Sequence, residues 1–142
     1  MPKITRVVVP IDEIETANFS TQQAVIFAKE HKVDISIIAI DESPQYLVSA
    51  YYQKKIQEEK KRLLTQLKNF CRANGVHATT SFIPGDPVKE IVNHVTDHDL
   101  LVMTSTEKKG YQKLMLGNIS KEVLRHAPCS VMIVKSQNNF EK

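Results

Sequence analysis

A short apolar run, followed by a long polar stretch and a glycine, is the part of this sequence best suited to hold a phosphate group. Residues 100–103 are apolar and typical of a buried strand, and residues 104–112 are polar. Gly117 and Asn118 then precede an amphipathic segment at 119–126. A helix that begins there presents unpaired backbone N–H groups and the positive end of its dipole to the preceding loop. The spacing therefore predicts a phosphate-binding loop at a helix start.

The charges of this segment favour an anionic ligand only in part. Lys108, Lys109 and Lys113 supply positive charge, whereas Glu107 adds a negative one. Asn118 can cap the helix through its side-chain oxygen, or its amide hydrogens can be donated to a phosphate oxygen. The segment thus combines groups that attract a phosphate with one carboxylate that opposes it.

Two pairs of residues have side chains suited to other chemistry, but their surroundings in the sequence do not support it. Ser105 and Ser120 have neither an adjacent histidine nor a GxSxG context, so nucleophilic catalysis is not indicated. His94 and His98 are four residues apart and share a helix face if the helix continues that far. They lack the glutamate of an HExxH motif and a third ligand, so the sequence predicts no metal site.

The composition argues against several classes of protein. The chain has 142 residues, 42% hydrophobic and 25% charged, which is typical of one soluble globular domain. A net charge of +3 is too small to indicate a nucleic-acid partner, and no apolar run approaches the roughly 20 residues of a membrane span. The first residues lack a signal peptide, which predicts a cytoplasmic protein. Cys71 and Cys129 show no metal or disulfide motif.

Apolar runs alternate with amphipathic segments along the chain, which predicts strands that alternate with helices. The predicted strands are residues 4–9, 35–40, 77–83, 100–103 and 130–134. The predicted helices run from Thr16 or Asn18 to His31 and over residues 46–74, 88–97 and 119–126. Asp86 is the predicted N-cap of the third helix. This order predicts an α/β fold, a single doubly wound domain whose five-stranded parallel sheet carries helices on both faces.

This arrangement also predicts where a ligand and a partner would bind. The domain spans residues 1–142, with a core at 4–135 and a polar tail at 136–142 that we expect to fray. Doubly wound sheets bind ligands beyond the carboxyl ends of the strands, where the strand order reverses, so we expect a site at the loops after the first and fourth strands. The last strand is expected at a sheet edge, where apolar residues favour pairing with another chain.

Two segments resemble the universal stress protein family. The family motif is Gly-x-x-Gly, nine residues and then Gly-Ser or Gly-Thr, and it falls here on Thr104, Glu107, Gly117 and Asn118. The spacing fits, but two of the three motif glycines and the hydroxyl residue are replaced. The first strand, VVVPID, is similar to the family's opening strand and ends at Asp12, where family members contact adenosine. The resemblance covers nearly the whole chain and implies the Rossmann-like fold of the adenine nucleotide α-hydrolases.

The resemblance implies that ATP binds with its adenine near Asp12 and Ile40, and that the phosphates carry Mg²⁺. It implies these cofactor-binding residues: Pro10, Asp12, Ile40, Met103, Thr104, Ser105, Glu107, Gly117, Asn118, Ile119 and Ser120. Asp12 has a second interpretation, as a cap of the turn after the first strand. Glycine admits a positive φ and a close phosphate, which Thr104 and Glu107 resist. The alternative is therefore the same fold without a nucleotide, acting through protein contacts.

The resemblance further implies a binding module in the stress response rather than an enzyme, with slow ATPase activity as a third hypothesis. Glu107 is the only residue of the loop with the chemistry of a base that activates water, and its position is poor for that role. Family members dimerise through the last strand, so we expect a two-fold homodimer through residues 130–134, with Val131 and Ile133 at the contact. No nucleic-acid or membrane partner is expected. The sequence does not identify a protein partner, the stress or the effector.

Overall fold

A computed structural model describes residues 2–11, 14–45, 47–105 and 118–135 of the chain. Within these ranges the strands are β1 (Arg6–Ile11), β2 (Asp34–Asp41), β3 (Ala78–Pro84), β4 (Asp99–Ser105) and β5 (Ser130–Lys135). The helices are α1 (Ile14–His31), α2 (Ala50–Ala73), α3 (Pro87–His94) and α4 (Asn118–His126), and a short 3-10 turn, Ser43–Gln45, follows β2. None of the described helices is long and apolar enough to cross a membrane.

The five strands are parallel and form one sheet in the order β3-β2-β1-β4-β5. This confirms the predicted doubly wound α/β fold, and β5 lies at an edge as predicted. The chain moves outward from β1 through β2 to β3, and then returns to the other side of β1 to add β4 and β5. The strand order therefore reverses between β1 and β4, at the place where such folds bind ligands.

Helices cover both faces of the sheet because its central strands are apolar on both sides. On one face, Val7, Ile37 and Val102 belong to the cluster that packs under α1 and α2. On the other face, Val8 and Leu101 belong to the cluster that packs under α3 and α4. Burial on both faces explains the continuous apolar runs from which these strands were predicted.

The first helix begins earlier than the sequence predicts. α1 starts at Ile14, so Thr16 and Asn18 lie within its first turns, and the prediction that one of them is the N-cap is wrong. Residues 14–18 contain no proline or glycine that would prevent the helix from extending back toward β1. The connection between β1 and α1 is consequently short.

The second helix begins later than the sequence predicts. α2 starts at Ala50 rather than at residue 46, because the 3-10 turn and an irregular segment precede it. Ser49 is the N-cap, and its hydroxyl oxygen accepts a hydrogen bond from the Tyr52 backbone N–H at 3.2 Å. The polar cap Ser49, rather than Tyr46, at which the sequence predicts the helix to begin, sets the start of this helix.

The third helix begins as predicted and ends early. Asp86 caps it. The helix ends at His94 rather than at residue 97 because Val95 is extended and the Thr96 backbone N–H donates to Asp99 at 2.7 Å. The chain thereby turns directly into β4.

This early end separates the two histidines that the sequence places four residues apart. His94 lies in the helix with its Nε2 3.1 Å from Ser36 Oγ, whereas His98 follows the helix with its Nδ1 3.1 Å from the Lys3 carbonyl. Burial and the nearby charge of Arg6 lower the pKa of His94. Within the described residues, no three His, Cys, Asp or Glu side chains are placed to hold a metal ion.

An ion pair between Arg6 and Asp99 joins β1 to β4 at the amino-terminal edge of the sheet. Arg6 Nε and Nη2 donate to the two carboxylate oxygens at 2.8 and 2.7 Å, and Arg6 Nη2 also donates to the His94 carbonyl at 3.2 Å. The Asp99 side chain is 2% exposed. The pair fixes the starts of both strands, at the edge opposite to the one predicted to bind a ligand.

Candidate functional site

The two strands on either side of the reversal pair only over their amino-terminal halves. Their register joins residues 6–8 of β1 to residues 99–101 of β4, whereas β1 pairs with β2, and β4 with β5, over six residues each. Among the described residues, residues 9–11 of β1 are therefore not paired with residues 102–105 of β4. Since ligands of doubly wound sheets bind where the strand order reverses, we define the region between these unpaired carboxyl halves as the β1/β4 crevice.

Three predicted cofactor-binding residues share one face of the sheet beside this crevice. Side chains alternate along a strand, so Pro10 lies on the same face as Val8. Ile40 and Met103 belong to the apolar cluster of that face and are 5% and 4% exposed. The structure thus brings Pro10, Ile40 and Met103 together on the adjacent strands β1, β2 and β4. Their apolar surface suits a nucleobase or ribose rather than a phosphate.

Thr104 and Ser105 lie in β4, so the prediction that the polar loop begins at residue 104 is wrong. Their backbones are in register with Val134 and Lys135 of β5, which extends the strand through these two polar residues. Ser105 Oγ donates to the Val134 carbonyl at 3.4 Å, and Ser105 is 3% exposed. The Ser105 hydroxyl therefore serves the sheet, while Thr104 lies half-buried near the strand's end.

Asn118, Ile119 and Ser120 form the first turn of α4, which is where the sequence predicts a helix start. α4 leads through a short turn into the amino end of β5, so it runs antiparallel to the strands and its first turn is the part nearest the carboxyl edge. Val123 is fully buried and packs in the same cluster as Met103, which anchors the helix. Asn118 and Ile119 are exposed, and the N–H groups of a first helical turn have no partner within the helix itself.

Three of the predicted site residues, Asp12, Glu107 and Gly117, lie outside the described residues, as do the three lysines of the polar loop. Their roles stay predictions. Along the sequence, Asp12 directly follows Ile11 at the end of β1, and Gly117 directly precedes Asn118.

A buried carboxylate that the sequence did not single out adjoins this edge of the sheet. Asp41, at the end of β2, is 2% exposed and accepts hydrogen bonds from the Ser43 backbone N–H at 3.0 Å, Ser43 Oγ at 2.5 Å and Gln57 Nε2 at 2.7 Å. Burial alone would raise the pKa of Asp41, but these hydrogen bonds and the charge of Lys60 outweigh it and lower the pKa. Asp41 is therefore ionised at neutral pH and ties α2 to the end of β2.

Lys60 reaches the same edge from α2, and its Nζ donates to the Ile40 carbonyl at 3.2 Å. Gln57 and Lys60 are three residues apart in a predicted helix, so the sequence alone places them on one helix face. Asp41 also ends an apolar run. Those two signals are consistent with a polar contact between α2 and the end of β2, but only the fold establishes it.

The sequence matches a known family over most of its length. A family model described as the universal stress protein family matches residues 3–135. Universal stress protein MJ0531 of Methanocaldococcus jannaschii is 28% identical over 138 residues, an alignment that covers 92% of this chain and 81% of that protein.

Solved structures share the fold. Universal stress protein UspA from Lactobacillus plantarum has a TM-score of 0.80 at 21% identity, over 94% of this chain and 99% of that one. A universal stress protein from Archaeoglobus fulgidus in complex with dAMP has a TM-score of 0.69 at 14% identity, over 95% and 100% of the two chains. A family protein from Arabidopsis thaliana with AMP bound has a TM-score of 0.66 at 19% identity, over 97% and 95%. The fold is thus the adenine nucleotide α-hydrolase-like fold that the resemblance implied.

Proposed function

This chain belongs to the universal stress protein family, and we propose that it binds an adenine nucleotide, ATP or AMP, in the β1/β4 crevice. The observation that carries the proposal is that the pairing of β1 with β4 stops after Val8 and Leu101, beside the apolar residues Pro10, Ile40 and Met103. A purine and its ribose need such a surface with polar backbone groups at its rim. Two proteins of the same fold, noted above, hold dAMP and AMP.

The phosphates lie toward the first turn of α4 in this proposal. Asn118 and Ile119 of that turn are exposed, and a helix N-terminus favours negative charge. Gly117 and the three lysines of the polar loop add an unhindered backbone and positive charge. When ATP is the ligand, Mg²⁺ is held by its phosphates, because the family motif offers no set of protein ligands for it.

In this proposal the protein is a binding module of the stress response in the cytoplasm rather than an enzyme. The proposal assigns no residue of the site to activation of water. A second candidate function is the same fold acting through protein contacts without a nucleotide. It is favoured by Thr104, a β-branched residue that stands in a strand where the family motif has its first glycine.

The proposal includes a homodimer formed through β5. β5 is an edge strand, and its residues Val131, Met132, Ile133 and Val134 are only half-buried. A second copy of the same strand would pair with the exposed backbone and cover these side chains on both faces of an extended sheet.

Thermal unfolding with and without ligand tests nucleotide binding. AMP or Mg-ATP at about a hundred times its Kd stabilises a binding protein by about 2.7 kcal/mol. In a chain of this size that raises Tm by several degrees. CMP, which carries the same ribose and phosphate, is the matched control for the base. No shift with either adenine nucleotide would favour the ligand-free alternative.

The variant Asp12→Ala separates the two interpretations of that residue. As a ligand contact, Asp12 is needed for the AMP-dependent rise in Tm, and its loss leaves the Tm of the unliganded protein unchanged. As a turn cap, its loss lowers the unliganded Tm and leaves the rise intact. Asp34→Ala is the control, because Asp34 is exposed at the start of β2, on the opposite edge of the sheet.

A further inference from the structure

The end of α3 meets three strands at the amino-terminal edge of the sheet. Side chains alternate along a strand, so Arg6 of β1, Ser36 of β2 and Asp99 of β4 lie on the face that α3 and α4 cover. His94 is the last residue of α3, and its Nε2 lies 3.1 Å from Ser36 Oγ. Its carbonyl accepts from Arg6 Nη2 at 3.2 Å. His94 therefore joins α3 to β2 through its side chain and to β1 through its backbone.

The Ser36 hydroxyl depends on His94 for its hydrogen bond. Ser36 is 2% exposed, and among the described residues the structure gives its hydroxyl no partner other than the His94 ring. A buried hydroxyl that loses its partner costs stability. Movement of the neutral ring into water would impose that cost, so the bond holds the end of α3 on the sheet.

The surroundings of His94 are unfavourable for a charged ring. Burial and the charge of Arg6 lower the pKa of His94, and together they outweigh Asp99, which acts to raise it. Asp99 attracts a cation only weakly because its carboxylate already accepts two hydrogen bonds from the guanidinium of Arg6. On α3 itself, Glu90 lies one turn before His94, with its side chain beside Gly85.

The other charged or titratable groups near this edge are exposed, paired with one another or neutral. On α4, which also packs against α3, Arg125 and His126 lie 3.7 and 3.6 Å from Glu122. Asp34, at the start of β2, is exposed. Burial raises the pKa of Cys129, beside the start of β5, so this thiol is uncharged at neutral pH. Arg6 and Asp99 are therefore the charges that decide the state of His94.

We propose that His94 is a pH switch, which holds the end of α3 on the sheet near neutral pH and releases it when the ring is protonated. A protonated ring would place a second cation beside Arg6 in a half-buried position. Where Nε2 accepts the Ser36 hydrogen at neutral pH, protonation also turns it into a donor and leaves that hydrogen without its acceptor. Movement of the ring into water relieves the repulsion, and it separates the end of α3 from β2.

Release of this end would uncover apolar side chains. Ile91 and Val95 lie on either side of His94 in the sequence, are 4% and 6% exposed, and belong to the apolar cluster of this face. Local opening of a short helix requires less free energy than unfolding of the whole domain. The switch does not depend on the proposed function, because it involves the protein without a ligand.

Urea unfolding between about pH 7.5 and pH 5 tests the switch. Because the folded state binds this proton less readily than the unfolded chain, stability is constant well above the ordinary pKa of 6.5 and falls as the pH decreases below it. The ratio of folded to unfolded protein falls by at most about tenfold per pH unit. Asp41 and Asp99 do not contribute in this range, because their lowered pKa values act only below pH 3.8.

His94→Gln should lose this pH dependence, because its amide can still bond to Ser36 but does not titrate. His98→Gln is the matched control, because the His98 side chain is 54% exposed and bonds to the Lys3 carbonyl outside this group. We expect it to keep the dependence of the wild type. A wild type whose stability is constant down to pH 5 overturns the switch, as does the same dependence in His94→Gln.

NMR of the wild type separates local release from a mere loss of stability. The His94 ring protons should titrate below pH 6.5. Over the same range the Val95 backbone N–H, which donates to the Ile91 carbonyl at 3.3 Å, should exchange with solvent faster than the intrinsic dependence on pH predicts. The amide of Val8, in the central strand, should stay protected. Exchange that changes equally at Val95 and Val8, or at neither, overturns the proposal without any variant.

Discussion

Two buried carboxylates, Asp99 and Asp41, lie at opposite edges of the sheet and use their charge differently. Asp99 is neutralised by the guanidinium of Arg6 and joins two strands. Asp41 is held by neutral donors, Ser43 and Gln57, with the cation of Lys60 nearby rather than bonded to it. The first arrangement is a strand-to-strand link, whereas the second leaves a cation directed at a backbone carbonyl beside the candidate site.

Removal of the Asp99 charge should destabilise the fold. Asp99→Asn leaves Arg6 without its counter-ion, and breaking a buried pair costs about 3–5 kcal/mol. Arg6 is 34% exposed and water compensates in part, so we expect a loss of about 2–3 kcal/mol in the free energy of unfolding at pH 7. Urea unfolding measures this loss. Asp34→Asn is the control, because it alters an exposed carboxylate on the same edge, and it should change the free energy by less than about 0.5 kcal/mol.

The ion pair between Arg6 and Asp99 also predicts how the loss of unfolding free energy in Asp99→Asn varies with pH. Burial acts to raise the pKa of Asp99, but the hydrogen bonds from Arg6 and Thr96 outweigh it and hold the pKa below its ordinary value of 3.8. The stabilisation is therefore complete above pH 3.8 and is lost as the pH falls through the lower pKa of the folded state. The difference in the free energy of unfolding between wild type and Asp99→Asn should become smaller in that acidic range. A difference that stays constant would mean that the ion pair is not its source.

Contacts between groups that are distant along the chain could not be identified from the sequence. Arg6 and Asp99 are 93 positions apart, and no local pattern connects them. Lys60 stands in a run of lysines and glutamates that is typical of a solvated helix face, and only the fold shows that one of them reaches a strand end. The family resemblance assigns Ile40 and Met103 to the ligand site; the structure places both in one apolar cluster, and their contact with a ligand stays a prediction.

At the scale of elements, the turn between β3 and α3 connects directly to the candidate site. The Gly85 backbone N–H donates to the Asp41 carbonyl, which holds the end of β3 beside the end of β2. Gly85 has a φ of +142°, a conformation that side chains with a Cβ rarely adopt. An added Cβ would also lie 2.8 Å from Glu90 Cγ. This turn therefore depends on glycine for two separate reasons.

Gly85→Ala should be more destabilising than the same change at Gly75, which ends α2. Gly75 also has a positive φ, +79°, but an added Cβ there would meet no atom within 4 Å. Backbone strain alone predicts about 1–2 kcal/mol for Gly75→Ala, and the contact with Glu90 adds to that figure at Gly85. Chemical denaturation measures both variants. The double variant Gly85→Ala/Glu90→Ala should recover part of the difference, and no recovery would show that backbone conformation is the whole cause.

The kinds and order of the elements could be predicted because apolar runs and helical periodicity are local properties. The boundaries of the helices and strands could not be predicted, because they depend on groups that are distant along the chain or on competing capping residues. Ser49 sets the start of α2, and the bond from Thr96 to Asp99 ends α3. β4 continues through Thr104 because β5 pairs with it there, although threonine followed by serine is typical of a loop.

At the scale of the whole molecule, the reversal of strand order determines where both the candidate ligand site and the edge strand β5 lie. β1 and β4 are the inner strands whose carboxyl halves do not pair with each other, and β5 is the outer strand beside β4. The last two residues of β4, Thr104 and Ser105, pair with β5, so the edge at which we propose a dimer lies one strand away from the β1/β4 crevice. A partner on β5 would therefore stabilise the strand that borders the proposed nucleotide site.

The homodimer is the last prediction, and charge at the edge strand tests it. We expect sedimentation velocity in the micromolar range to give twice the 16.1 kDa mass of the chain. Ile133→Lys should shift the protein toward monomer, because a lysine on an edge strand opposes pairing with another copy. Leu124→Lys is the matched control, since it places the same charge on a 46% exposed position of α4, away from the edge. The wild type alone can contradict the prediction: if it sediments as a monomer throughout this range, β5 is not a dimer interface. If instead both variants remain dimeric and keep the wild-type Tm, the dimer exists but forms through another surface.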